Sequence, residues 1–231
     1  MYICVCGMEI KMERFESIEE ISDGKKYTPN DMVKIGCSDC AGCHACCTNV
    51  GNTITLDPYD IYRLTKGLNT TFQNLLMDKI ELNVDRGMII PNIKMDGELK
   101  KCNFLNAEGR CSVHSLRPGI CRLFPMGRHY ENGSFSYFLQ VGECKYVNKT
   151  KVKLKKWLDT ENLAVYEKYI NDWHYFTRDI QQMLGTQSEE SAKKINMYLL
   201  NEFYIVPYEN NDFYGEFYSR LDKIKRAVYE E

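Results

Sequence analysis

The chain has 231 residues, enough for one domain or two small ones, and its 30 Lys and Arg against 32 Asp and Glu leave a net charge of −2. This near balance argues against nucleic-acid binding through bulk positive charge. A hydrophobic content of 44% excludes wholesale disorder, and no apolar run approaches the ~20 residues of a membrane span. Charges at positions 11, 13 and 14 interrupt the apolar stretch that a signal peptide needs, so we expect a cytoplasmic protein that binds neither nucleic acid nor membrane.

Cysteine is the outlier of the composition, with 11 residues that cluster along the chain. Cys4 and Cys6 stand apart near the start. The first cysteine group lies within CSDCAGCHACC, at residues 37–47, and the second is spread between residues 102 and 144. The members of the two groups are Cys37, Cys40, Cys43, Cys46, Cys47, Cys102, Cys111, Cys121 and Cys144.

The spacer between the groups, residues 48–101, has the pattern of ordinary scaffold. Residues 54–56 predict a short strand. Asp57 followed by Pro58 predicts the N-cap and first residue of a helix that ends near Gly67, and Asn69 is expected to cap a second helix. Ile61, Leu64 and Leu68 are expected to lie on one face of the first helix.

Turn signals surround the second cysteine group. Gly109 marks a turn just before Cys111, and Gly119 marks another just before Cys121. The dipeptide Asn-Gly at positions 132 and 133 predicts a hairpin with a two-residue turn. These thiols are therefore expected on loops and strand ends, where several of them can coordinate one metal ion.

The 87 residues after Cys144 have the pattern of helices, because apolar and aromatic residues recur at three- and four-residue steps. A first helical run ends at Gly185 and can break near Asp159. Thr186 is expected to cap the next helix, and Asn211 with Asp212 to start the last one. The aromatic residues are expected to form core rather than a ligand site, and the four lysines of residues 151–156 a solvated helix start.

Clustered cysteines without an export signal predict metal binding, because thiols in a reducing compartment remain unpaired. A disulfide framework is the weaker interpretation, and the odd number of cysteines fits full pairing poorly. Buried apolar thiols are the simplest alternative, but these would scatter along the chain.

The spacing of Cys37, Cys40, Cys43 and Cys47 is C-x2-C-x2-C-x3-C, which is typical of a bacterial ferredoxin. Cys46 is then an additional thiol beside Cys47. Neighbouring side chains are expected to diverge and to serve different sites. This predicts either two metal centres or one centre with a reactive thiol.

Counting ligands leaves one thiol over, since two four-sulfur centres need eight of the nine cysteines. Cys46 is one candidate for the spare thiol, poised as a nucleophile or at an open coordination position. Alternatively, Cys46 completes a second centre and Cys144 is spare. His114 is either a zinc ligand or a structural histidine, and His44 a supporting hydrogen-bond donor.

Two arginines lie close to Cys121 in the sequence. Arg117 and Arg122 would offset the negative charge of several thiolates, and structural support is favoured over contact with a substrate carboxylate.

The joint pattern CSDCAGCHACC, CNFLNAEGRCSVHSLRPGICRLFP and GEC resembles the CxxCxxCC cysteine-cluster family, also called YkgJ-like, which is described as zinc- or iron-chelating. The resemblance covers roughly residues 37–144 and implies metal chelation by the clustered cysteines. The flagellin lysine N-methylases, which are longer, carry a similar cysteine motif.

The sequence therefore predicts an α+β protein. An irregular cysteine-rich part with short strands, residues 1–150, is held by metal and packs as one compact unit on a helical part, residues 151–231. We expect a metalloprotein with an iron–sulfur cluster that performs or assists the modification of a protein partner, or a redox step. The alternatives are a structural zinc module without catalysis and a protein lysine N-methylase. No Walker A, G-x-G-x-x-G or H-E-x-x-H motif points to another chemistry.

Overall fold

The structure is a computed structural model that describes residues 20–38, 43–98, 100–209 and 211–229. Cys4, Cys6 and Cys40 lie outside the described residues. Helices account for 45% and short antiparallel strands for 22% of the structure, with a helical C-terminal region. The predicted α+β class is confirmed.

The strands form four separate antiparallel pairs within the described residues, in the combinations β1–β8, β2–β3, β4–β5 and β6–β7. Three pairs join consecutive strands, whereas β1 and β8 bring distant parts of the chain together. Their bounds are β1 Met32–Gly36, β2 Ile80–Asp85, β3 Met88–Ile93, β4 Met95–Asp96, β5 Lys101–Cys102, β6 Met126–Glu131, β7 Ser134–Leu139 and β8 Thr150–Lys153.

The helices concentrate after residue 150. Their bounds are α1 Pro58–Leu68, α2 Phe72–Asp78, α3 Gly119–Leu123, α4 Leu154–Leu158, α5 Leu163–Leu184, α6 Glu189–Leu200 and α7 Phe213–Tyr229. Two short 3₁₀ helices, Ala45–Cys47 and His114–Leu116, lie in the cysteine-rich part, and a π-helical turn, Asn201–Ile205, continues α6. None of the described helices has both the length and the apolar character needed to cross a membrane.

Helix α1 begins as predicted but ends differently. Asp57 caps it and forms a reciprocal capping box with Asp60. Asn69 ends this helix in the left-handed conformation, with φ of 49°, instead of starting the next one. Gly67 lies inside the helix and does not end it. Leu116 packs closely against this glycine, since a Cβ there would stand 2.3 Å from the Leu116 side chain.

The face of α1 that carries Ile61 and Leu64 is buried, but Leu68, the last residue of the helix, is 41% exposed. Thr71, not Asn69, caps α2 by accepting a hydrogen bond from the Asn74 N–H.

The predicted hairpin is confirmed. Strands β6 and β7 pair in continuous register from Met126 opposite Leu139 to Glu131 opposite Ser134. Asn132 and Gly133 both have positive φ, 52° and 77°, as the two-residue turn requires.

The C-terminal part follows the predicted pattern with local corrections. The helical run breaks at Asp159, and α5 ends before Gly185. Ser188, not Thr186, caps α6, because its side chain accepts a hydrogen bond from the Ser191 N–H. The lysine-rich segment enters strand β8 before α4 begins, since pairing with β1 overrides its helical character.

Two hydrophobic clusters organise the molecule. The larger cluster joins α1, α2 and the β2–β3 hairpin to α5, α6 and α7, and it buries most of the C-terminal aromatic rings. The smaller cluster joins β1, α4 and the β6–β7 hairpin. Cys102 belongs to the larger cluster, and Cys47, Cys111 and Cys121 pack against it, so this cluster helps to set the positions of these thiols.

Candidate metal centre

Most of the described cysteines line one cavity of about 70 Å³. Six of them line it: Cys43, Cys46, Cys47, Cys102, Cys111 and Cys121. His44, His114 and Arg117 also reach its wall, and the remaining lining is largely apolar. The two cysteine groups, separated by more than 50 residues of scaffold, thus meet at one place.

The first cysteine group is joined to the second by backbone pairing. Cys46 and Cys47 lie on the short 3₁₀ helix. Directly after it, Thr48 forms a β-bridge with Lys101, and the Asn49 N–H donates to the carbonyl of Lys100. These contacts place Cys47 close to Cys102, which follows Lys101 in β5.

A tight loop presents Cys111. The Asn106 side chain accepts from the Arg110 N–H at 2.8 Å, and a bridge pairs Leu105 with Cys111. Gly109 has φ of +70°, which confirms the predicted turn. His44 packs against this glycine, because a Cβ there would stand 3.0 Å from the imidazole Nδ1. The positive φ and the close approach of His44 both favour glycine at this position.

Cys37 and Cys144 lie apart from the cavity wall. Cys37 is buried at the end of β1, and Cys144 is half-buried, with its carbonyl accepting a hydrogen bond from Lys149 Nζ at 2.8 Å. The two cysteines interact electrostatically, and Cys144 also with Cys46. The described thiols therefore fall into a cavity group of six and a neighbouring pair.

Cys46 and Cys47 do not diverge as expected. Their sulfur atoms are 4.0 Å apart and both cysteines line the same cavity. Both residues lie on the short 3₁₀ helix Ala45–Cys47, which borders the cavity.

Electrostatics differ between these neighbours. The hydrogen bond with Cys47 is the main cause that lowers the pKa of Cys46 to about 7, and Arg117 adds to the effect. The same bond raises the pKa of Cys47, as burial also does. Burial raises the pKa of Cys102 and Cys111, with Arg117 acting against it at Cys111. A bound cation would favour the thiolate form at all of these sites.

The donor set fits a soft metal ion. Several thiols and two imidazoles on one largely apolar wall are the ligands that zinc and iron–sulfur centres use. The eight described cysteines are thiols and not half-cystines. Among the described residues, no group of three or more His, Cys, Asp or Glu is already arranged to hold a metal ion.

The comparisons with known proteins agree with this chemistry. The model of the CxxCxxCC family, described as a putative zinc- or iron-chelating domain, matches residues 39–149. This range contains eight of the nine clustered cysteines and every cysteine of the cavity. Residues 39–149 belong to the CxxCxxCC family. The protein is a metal-binding cysteine-cluster protein, and its CxxCxxCC domain supplies the thiols of the cavity. Neither a curated protein nor a solved structure matches the chain.

Two residues that support the CxxCxxCC domain were not found from the sequence. Asp60 and Arg63 of α1 bond to the segment that leads to Cys121. The capping-box spacing of Asp57 and Asp60 was a signal for Asp60, but the bond from Asp60 to Gly119 spans 59 residues and has no local signature.

Proposed function

We propose that the protein holds an iron–sulfur cluster on the thiols of the cavity and uses it in the cytoplasm for a redox step or for the modification of a protein partner. The observation that carries the proposal is the meeting of six cysteines from two distant groups on one cavity wall. The ferredoxin-like spacing of the first group favours iron–sulfur over a single zinc ion, although Cys37 of that run lies outside the cavity wall.

The chain's own residues suit this role. Arg117 lies beside Cys46 and Cys111 and offsets the charge that several thiolates would accumulate. Ile54, Phe104 and Val113 are almost fully buried on the cavity wall and restrict the access of water. When bound, an iron–sulfur cluster supplies one-electron chemistry.

Zinc is the second candidate because two imidazoles reach the same cavity. His44 and His114 both line it, and mixed cysteine and histidine sites are typical of structural zinc. A zinc centre would make the domain a structural module.

Anaerobic purification followed by metal and sulfide analysis tests the proposal. We expect iron and acid-labile sulfide in similar amounts, with broad absorption near ~400 nm from thiolate–iron charge transfer. Cys102→Ser should lose most of this absorption, whereas the double variant Cys4→Ser/Cys6→Ser, outside the family motif, should keep it. If the purified protein is colourless and contains zinc, the centre is a zinc site and not an iron–sulfur cluster. If it contains neither metal, both assignments are refuted.

A further inference from the structure

Helix α1 holds the segment that leads to Cys121 through two side chains on one face. Asp60 is 2% exposed, and its Oδ1 accepts a hydrogen bond from the Gly119 N–H at 2.7 Å. Arg63, one turn further along, donates to the carbonyl of Ser115 at 2.6 Å and to that of Arg117 at 3.2 Å. Three backbone groups just before Cys121 are thus bound by α1.

Helix α5 also contacts this segment. A Cβ on Gly119 would stand only 2.2 Å from the hydroxyl oxygen of Tyr166, which is buried in the larger hydrophobic cluster. Gly119 therefore contacts both Asp60 on α1 and Tyr166 on α5. Since α3 begins at Gly119 and has five residues, the position of Cys121 depends directly on this contact.

The anchor itself is rigid. Asp60 takes part in the capping box with Asp57, and the Asp57 carboxylate also accepts from the Tyr169 hydroxyl at 3.0 Å. Asp57 and Tyr169 are both buried. The position of Asp60 is therefore set by the N-terminus of α1 and by α5 together.

We propose that Asp60 is the positioning residue for Cys121, a role that rests on the proposed metal-binding function. By binding the Gly119 N–H, Asp60 holds α3 so that Cys121 reaches the cavity wall. Removing the carboxyl group leaves a buried N–H without its acceptor, and α3 shifts to find another partner. The metal is then held by a misplaced ligand.

The test uses holo-protein and three variants. Asp60→Ala removes the acceptor, and Asp60→Asn keeps one oxygen for the Gly119 N–H. Asn196→Ala is the matched control, because Asn196 is also buried and also accepts a backbone N–H at 2.7 Å, from Ile89, but lies on α6 away from the thiols. Two quantities are measured: the rate of metal transfer to a chromogenic chelator, and the rate at which N-ethylmaleimide alkylates Cys121, mapped by peptide mass.

We expect Asp60→Ala to lose metal about 10-fold faster than the wild type, in the range found for groups that orient metal ligands, and Cys121 to be alkylated correspondingly faster. Asp60→Asn should restore both rates to near the wild-type values. Asn196→Ala should lower the melting temperature without changing either rate. Equal rates in Asp60→Ala and the wild type, or the same acceleration in Asn196→Ala, would overturn the proposal.

Two further results keep the test decisive. If Asp60→Ala does not fold, Arg63→Met takes its place, because Arg63 holds the same segment from a half-buried position. Accelerated metal loss and Cys121 alkylation in Arg63→Met would support the positioning by α1, and unchanged rates would refute it. If the wild type contains no metal, the proposed function fails. Alkylation of Cys121 relative to Cys144 in the metal-free proteins then decides the role of Asp60 alone.

Discussion

At the level of single residues, Cys46 and Cys144 are the two candidates for a thiol that is not needed as a ligand. Cys46 lines the cavity next to Cys47, whereas Cys144 lies beside Cys37. Without Cys46, the cavity wall still offers five thiols, one more than a four-sulfur centre needs: Cys43, Cys47, Cys102, Cys111 and Cys121. We propose Cys46, next to Arg117, as the spare thiol, with Cys144 as the alternative.

We expect Cys46→Ser to keep its metal and to lose one site of alkylation by iodoacetamide in the holo-protein, because this thiol lies beside the cation of Arg117. Metal content and mapped alkylation measure both effects. Cys144→Ser, made in parallel, is the comparison. Loss of metal from Cys46→Ser together with full metal in Cys144→Ser would make Cys46 a ligand and Cys144 the spare thiol.

Asp60 gives the protein a specific pH dependence. Burial, reinforced by the charge of Asp57, raises the pKa of Asp60 from 3.8 to about 8. Between these values the unfolded chain releases a proton that the folded protein keeps, so the free energy of unfolding falls as the pH rises, by at most ~1.4 kcal/mol per pH unit from this group.

Asp60→Asn has no such proton, so its free energy of unfolding should depend less steeply on pH than that of the wild type. Urea denaturation at intervals from pH 5 to pH 8 measures the two slopes. Asp222→Asn, at an exposed position of α7, is the control and should keep the wild-type slope. Parallel curves for Asp60→Asn and the wild type would contradict the prediction.

At the level of elements, the β6–β7 hairpin depends on its turn. Gly133 adopts φ of 77° and donates its N–H to the Tyr175 hydroxyl of α5 at 2.9 Å, and its carbonyl accepts from Asn171. The turn therefore sets the register of the hairpin and also its contact with α5.

We expect Gly133→Ala to lower the free energy of unfolding by about 1 kcal/mol, because a side chain makes the left-handed conformation unfavourable. Denaturant unfolding measures the change. Ser134→Ala, at the adjacent exposed position with negative φ, should have a smaller effect. A larger loss in Ser134→Ala than in Gly133→Ala would show that the turn conformation is not the limiting factor.

At the level of the whole molecule, the cysteine-rich part has little regular structure to support it. Its strands pair only two by two, and β4 and β5 have two residues each. Bound metal would cross-link the loops at residues 43–47 and 102–121, which both line the cavity. Metal binding and folding are therefore expected to be coupled.

Removal of the metal by a chelator should lower the melting temperature markedly and expose the loops to trypsin, since structural metal sites contribute apparent stabilities on the order of 10 kcal/mol. The fluorescence of Trp173, which is buried in the larger cluster, reports whether the helical part loosens as well. Cys121→Ser should behave like the metal-free wild type. An unchanged melting temperature after complete removal of metal would show that folding does not need it.

The sequence by itself determined the features that depend on neighbouring residues. The cap of α1 at Asp57, the turn at Asn132 and Gly133 and the end of α5 before Gly185 all follow from local hydrogen bonding and backbone conformation, which a few adjacent residues specify. The soft-metal chemistry followed equally directly, because cysteine spacing is itself a local pattern.

Only the tertiary structure decided how the thiols are grouped. Cys46 and Cys47 share one cavity, Cys37 lies outside it with Cys144, and Asp60 reaches Gly119 across 59 residues. Gly67 is a second example. Its sequence pattern predicts the end of a helix, but in the structure it lies inside α1 and leaves room for the side chain of Leu116. These arrangements depend on which distant segments pack together, and such contacts are set by the fit of the two hydrophobic clusters and not by any short stretch of sequence.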